Sequence, residues 1–103
     1  MDIRKIQSLF QKRSIKWSTH CLERMQERDI LKADVLSCVL QGEIIEDYPN
    51  DYPFPSCLIF GHTIQNRVLH TVIGADGATA YVITAYYPST DKFEADLKTR
   101  KER

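Results

Sequence analysis

The spacing of apolar and polar positions changes period once along the chain, at Gly42. Before it the period is helical. Ile3, Ile6, Leu9 and Phe10 make one stripe and predict a helix over residues 2–13. Asp2 near its start and Arg13 near its end suit the helix dipole. Ile15 and Trp17 alternate around Lys16, which predicts a short extended entry into the next helix, with Trp17 placed to staple its start. Cys21, Leu22 and Met25 fall on one side of a helix over residues 18–28, with Ser18 as its cap. Val35, Leu36, Val39 and Leu40 predict a third helix over 32–41, stopped at Gly42.

Beyond Gly42 the segments 43–48, 56–64, 67–75 and 80–87 are rich in β-branched and aromatic residues and read as strands. Pro49, Pro53 and Pro55 make the connection after the first of these a stiff surface loop. Gln65-Asn66 marks a tight turn, and Pro88 ends the last strand. Asp91 and Glu94 have capping-box spacing, and Phe93 and Leu97 share a helical face. They predict a short C-terminal helix ending in Lys98, Arg100, Lys101 and Arg103. Helices first and a strand meander second mean an α+β fold. The expectation is one domain over residues 1–103, with N-terminal helices packed on a four-stranded antiparallel sheet and a short C-terminal helix.

A chain of 103 residues can bury a core without disulfides or metal. Its 14 basic and 14 acidic residues cancel, which excludes strong nonspecific attraction to nucleic acid through net charge and leaves only local patches. Cys21, Cys38 and Cys57 are odd in number, widely spaced and set in apolar patterns, so they read as buried free thiols in a reducing compartment. No apolar run is long enough to span a membrane, and the start Met-Asp-Ile-Arg-Lys lacks the apolar core of a signal peptide. Cytoplasmic residence is the resulting expectation.

Two polar sets stand out from this background. His20, Arg24 and Arg28 are spaced i, i+4, i+8 and form one stripe on the second helix. A proton-transferring ring and two fixed positive charges suit a phosphate-bearing ligand. The competing reading is a solvated face with Glu23 and Glu27 as ion-pair partners. The second set is His70, Thr84 and Tyr86 on the last two strands. A two-residue turn at Asp76-Gly77 pairs Ala75 with Ala78 and keeps His70 away from Thr84. A three-residue loop, Ala75-Asp76-Gly77, pairs Gly74 with Ala78 and sets His70 opposite Val82, with Thr84 and Tyr86 on the same face. The second register gathers the polar groups and leaves Leu69, Ile73, Tyr81 and Ile83 for the core, so it is preferred. The competing reading of His70 is a lone strand histidine facing solvent.

With both sets in view, a pattern runs through the chain. It comprises Ser18-x-His20-x-x-x-Arg24-Met25-x-x-Arg28, Asp34-Val35 and Gly42-Glu43-Ile44-Ile45-Glu46-Asp47-Tyr48. It continues with Pro53-x-Pro55-Ser56, Gly61, Leu69-His70 and Ile83-Thr84-x-Tyr86-x-Pro88. This resembles the bacterial domain of unknown function 4258 (DUF4258) over residues of about 15–100. Lys32 stands where a capping serine or threonine is expected, and Phe93 where tryptophan is more usual. The resemblance implies a RelE-like fold within the barnase-like and EndoU-like ribonucleases. It also implies a type II toxin of the RelE/MqsR kind acting on mRNA, free or on the ribosome, beside a cognate antitoxin of the zinc-finger MqsA type.

The activity expected on that basis is metal-independent endoribonuclease cleavage through the RNA 2′-hydroxyl, with no cofactor. His20 and His70 are the candidate acid and base, with Tyr86 a further catalytic candidate. Arg24 and Arg28 are candidates for holding the phosphate, Thr84 for orienting it, and Arg100 for an additional RNA contact. Tyr48, Tyr52 and Phe54 are candidates for base stacking. The rival is a non-enzymatic protein- or RNA-binding module using the same arginine stripe. A metal site from His20, His62 and His70 has no short ligand spacing behind it.

Overall fold

The structure, a computed structural model, describes residues 1–102, so Arg103 lies outside the described residues. The elements in chain order are α1 (Ile3–Gln11), β1 (Ile15–Trp17), α2 (Thr19–Glu27), α3 (Lys32–Gln41), β2 (Glu43–Tyr48), β3 (Ser56–His62), β4 (Val68–Ala75) and β5 (Ala80–Tyr86). The three predicted N-terminal helices and the four predicted strands are all present. The Asp2 carboxylate accepts from the Arg4 N–H, and the Ser18 hydroxyl from the Cys21 N–H, so the first two helices carry side-chain caps. At α3 the carboxylate that helps is Asp34, which reaches back to the Leu31 N–H at 2.9 Å.

The sheet has five strands in the order β1-β5-β4-β3-β2, not four. The extended entry at residues 15–17 is the fifth strand, and it pairs parallel with β5. The other three pairings are antiparallel. Three residues are too few for a strand to show in sequence periodicity. They pair because the chain passes β5 between α1 and α2, and the Ala80 N–H donates to the Ser14 carbonyl there.

One face of the sheet is covered by the helices. Ile6, Phe10, Cys21, Met25, Val35 and Val39 meet Ile59, Leu69, Ile73, Val82 and Ala85 in a single apolar cluster. Gly61 lets α3 lie directly on β3, since a Cβ there would fall 2.3 Å from the Cys38 carbonyl oxygen. All three thiols are buried. Burial pushes Cys38 up to about 11 and Cys57 up to about 12, so both stay protonated.

Two departures matter for the site. In the β4–β5 hairpin Ala75 pairs with Ala80, and His70 pairs with Tyr86 rather than with Val82. A bulge follows, because Ile73 faces Val82 while Val72 faces Thr84, leaving Ile83 as the extra residue. The bulge reverses the alternation along β5. Val82 and Ala85 therefore both point into the helical core, Thr84 and Tyr86 point to the other face, and Ile83, expected inside, is 45% exposed. Tyr81 is only half-buried.

The second departure is the C-terminal segment, which is not a helix. Asp96 binds the N–H groups of Lys98 and Thr99 and the Thr99 hydroxyl, satisfying them locally in competition with a helix. Leu97 takes a left-handed φ of 59°. Phe93 and Arg100 form a bridge, so the segment folds back on itself as a strap. It lies across the sheet face away from the helices. Phe93 is 2% exposed there, packed on His70.

Candidate functional site

The His70 side chain belongs to this second face. Period two from Leu69 and Thr71, which face the helices, turns His70 the other way. Its ring is fully buried. Phe93 meets it edge-on with centroids 4.7 Å apart, and Tyr86 does so at 5.3 Å. Nε2 lies 2.7 Å from the Leu97 carbonyl and Nδ1 lies 3.3 Å from the Tyr86 hydroxyl. A carbonyl only accepts, so Nε2 carries the proton and the Tyr86 hydroxyl donates to Nδ1. Both ring nitrogens are thus satisfied in the neutral form. Burial depresses the His70 pKa, against the Leu97 carbonyl and the Glu46 charge, which raise it. Burial likewise raises that of Tyr86.

The strap that seals this ring is tied down by charge. Arg100 makes two hydrogen bonds to Glu46, of 2.9 and 3.0 Å, and Lys98 reaches Glu43 at 3.0 Å. The Arg100 guanidinium also lies over Phe93, and the Lys98 ammonium over Phe60. Glu46 is held below the usual carboxylate range chiefly by Arg100, and accepts from Tyr48, whose phenol is pushed up to about 12 mainly by burial. Arg100, the sequence candidate for an RNA contact, is engaged inside this network.

The α2 stripe behaves differently. His20, Arg24 and Arg28 are all exposed. Cys21 and Met25 hold the helix against the core, so the stripe turns outward beside β5. β1 pairs with β5 only as far as Val82, which leaves the β5 edge from Ile83 onward without a strand partner. Arg28 docks on that edge. Its Nη1 donates to the Ala85 carbonyl at 2.9 Å and to the Thr84 hydroxyl at 3.3 Å. Arg24 pairs with Glu27 at 3.1 Å, both more than two-fifths exposed, a weak and salt-screened contact.

The structure therefore joins Arg28 to Thr84 and His70 to Tyr86, and it does not join His20 to His70. His20 is carried by the helical layer, whereas His70 points to the opposite face under the strap. The expectation that both flank one phosphate fails for that reason. His62 lies edge-on to Phe60, with centroids 5.6 Å apart, on the His70 side. Among the described residues no group of three His, Cys, Asp or Glu side chains is placed to hold a metal ion. Of the proposed stacking residues, Tyr52 is 92% exposed while Phe54 stacks on Tyr81 at 4.9 Å.

Sequence reasoning missed Arg67 and Tyr87. The Arg67 guanidinium carbon lies 3.4 Å from the Tyr87 ring centre, close to the Arg28 rim. The only signal available was Tyr87 immediately after Tyr86, and the partner arginine is remote in sequence.

The sequence profile of the domain of unknown function DUF4258 matches residues 17–87. The chain belongs to the DUF4258 family. That match takes in α2, α3 and the strands from β2 to β5, and so includes the arginine stripe, His70, Thr84 and Tyr86. It ends before the strap. Neither the curated proteins nor the solved structures contain a significant match to the chain. No helix of the described residues is long and apolar enough to cross a membrane.

Proposed function

We propose that this DUF4258 protein acts on RNA, gripping its phosphates along the rim where α2 meets the free edge of β5. The observation that carries this reading is the docking of Arg28 on Thr84 and Ala85, which fixes a guanidinium in line with Arg24 and His20 at an unpaired strand edge. Fixed guanidinium groups suit phosphate because they donate in pairs and lose little freedom on binding. Net charge of zero makes such a local patch the electrostatic feature available to an anionic polymer.

In its full form the reading is a type II toxin that cleaves mRNA without metal. A helical layer on one side of the sheet, with polar side chains on the rim and far face, supports a RelE-like arrangement. His20 is then the base that takes the 2′-hydroxyl proton as the 2′-oxygen bonds to phosphorus and the bond to the 5′-oxygen breaks. Solvent water protonates that departing oxygen, Arg24 and Arg28 stabilise the phosphorane, and Thr84 orients a phosphate oxygen. Buried His70 and half-buried Tyr86 act from below as a pair that sets the surface next to Thr84. The antitoxin in this reading presents an acidic segment that covers Arg24 and Arg28, and its binding weakens as salt rises.

The test is cleavage of RNA, free and ribosome-bound, in the presence of EDTA. Products with 2′,3′-cyclic phosphate ends are expected, with a loss of about a hundred-fold for His20→Ala. Full activity in His20→Ala would discard the assigned role. The sealed His70 ring, with both nitrogens already bonded, favours a second reading as a non-enzymatic RNA-binding module. Rim-dependent RNA binding with no cleavage in any format would establish that reading over the first.

A further inference from the structure

Arg67 closes the turn between β3 and β4, where the Thr63 N–H donates to its carbonyl at 2.8 Å. Its side chain is exposed and forms no ion pair among the described residues. It is nonetheless held in place, because its guanidinium lies against the face of Tyr87 at 3.4 Å. Such a stack fixes the group while leaving its N–H donors available. Tyr87 is fixed in turn, since its hydroxyl donates to the Asp29 carbonyl at 3.1 Å. Asp29 follows Arg28 directly, and Arg28 is docked on Ala85, two residues before Tyr87. The backbone positions that carry the two anchors, Ala85 and Tyr87, are two residues apart, about 7 Å of extended chain at about 3.3 Å per residue.

The hollow beside Arg67 and Tyr87 is lined also by Asp29, Asp34, Thr63 and Gln65. Asp34 is turned away from a ligand there, because its two oxygens accept from the Leu31 and Ile64 N–H groups at 2.9 and 3.2 Å, but these neutral donors leave its negative charge in place. The Asp29 carboxylate is exposed and opposes an anion there.

We propose that Arg67, held on Tyr87, is a second phosphate-gripping point, so that a single strand of RNA held by Arg24 and Arg28 continues past Asp29 to Arg67. The proposal rests on the RNA reading given above and extends its footprint to a residue that the sequence pattern did not single out. The contact is to the backbone phosphate, so it adds affinity and register without sequence preference.

The experiment is a salt titration of binding to a labelled single-stranded RNA oligomer, followed by fluorescence anisotropy. Each phosphate contact on a single strand contributes about 0.7 to the slope of log affinity against log salt. Arg67→Ala is expected to shallow the slope by about that amount. It should also weaken binding several-fold at low salt, equally for oligomers of different sequence. Tyr87→Ala, which removes the ring on which the guanidinium rests, should reproduce Arg67→Ala, and Tyr87→Phe, which keeps the ring but frees it from the Asp29 carbonyl, should fall between Tyr87→Ala and the wild type. Asp29→Asn should tighten binding. Asp29 has a left-handed φ of 60°, which asparagine tolerates equally, so the change removes charge without straining the backbone. Arg4→Ala, on α1 and away from the rim, should leave the slope unchanged. RNA binding with an unaltered slope in Arg67→Ala overturns this proposal and leaves the RNA reading standing. Absence of salt-dependent RNA binding by the wild-type protein overturns the RNA reading itself. Weaker RNA binding in Asp29→Asn would show that the Asp29 carboxylate supports the bound strand instead of opposing it, and would overturn the second phosphate point while leaving the RNA reading standing.

Discussion

The two polar sets of this molecule use the same kinds of side chain and meet opposite fates. On the far face, His70 and Tyr86 are closed into one another beneath Phe93, and Arg100, itself half-exposed, lies over Phe93 and ties the strap to the partly buried Glu46, so that the ring nitrogens, the phenol and the carboxylate each have an internal partner. On the rim, His20, Arg24 and Arg28 stand in solvent, and only Arg28 is tied to the sheet. A buried ionisable group whose hydrogen bonds are all made contributes to stability and resists a change of charge. An exposed cation fixed in place contributes little to stability and keeps its charge for a ligand. The difference separates the part of the molecule that holds the fold from the part proposed to bind.

The largest expected effect lies on the far face. Phe93→Ala removes an aromatic side chain that is 2% exposed and packed on His70, and should cost about 3 kcal/mol in urea unfolding. Arg28→Ala should cost under about 1 kcal/mol in the same measurement, being the loss of exposed or part-buried hydrogen bonds. Equal costs for the two would break the comparison.

The next effect is on pH dependence. The folded-state pKa of His70 is depressed below 6.5 by burial, so the unfolded chain binds the proton more readily. Stability contributed by neutral His70 is therefore full above about pH 6.5 and falls as the pH drops below that value toward the folded pKa. A thermal-melt series should show this decline, and His70→Asn should flatten it at a lower overall stability. Glu46, depressed in the same network, adds a further loss at more acidic pH, as the solution falls through its folded pKa. An acid decline that survives in His70→Asn over the first interval would show that His70 is not its source.

Binding sharpens the comparison from the other side. The double change Arg24→Ala, Arg28→Ala should lower RNA affinity for all sequences and reduce the salt slope by about 1.4, two phosphates' worth, with the melting curve nearly unchanged. An unaltered slope would remove the rim from the RNA reading. The smallest effect is expected from Thr84→Val. It removes one hydroxyl that Arg28 meets at 3.3 Å and keeps the shape, so a change of under about 1 kcal/mol in affinity should be seen by anisotropy.

Much of the scaffold was written in local pattern. Helices at residues 3–11, 19–27 and 32–41 follow from apolar stripes, and two of them from Asp2 and Ser18 caps, because these are interactions within a few residues. The stripe of His20, Arg24 and Arg28 follows from helical period for the same reason. Tertiary structure alone decided the rest. Ile15–Trp17 became a strand because β5 offered it an edge, and the bulge at Ile83 turned Thr84 and Tyr86 to the face away from Val82. Residues 89–100 had the spacing of a helix and instead became a strap. Asp96 bonds the backbone locally there, while Phe93 and Arg100 find partners in His70 and Glu46 across the sheet. Contacts between residues so distant in sequence leave no period to read. For that reason the sequence determined which polar groups share an element, and only the folded chain determined which of them are sealed and which remain open.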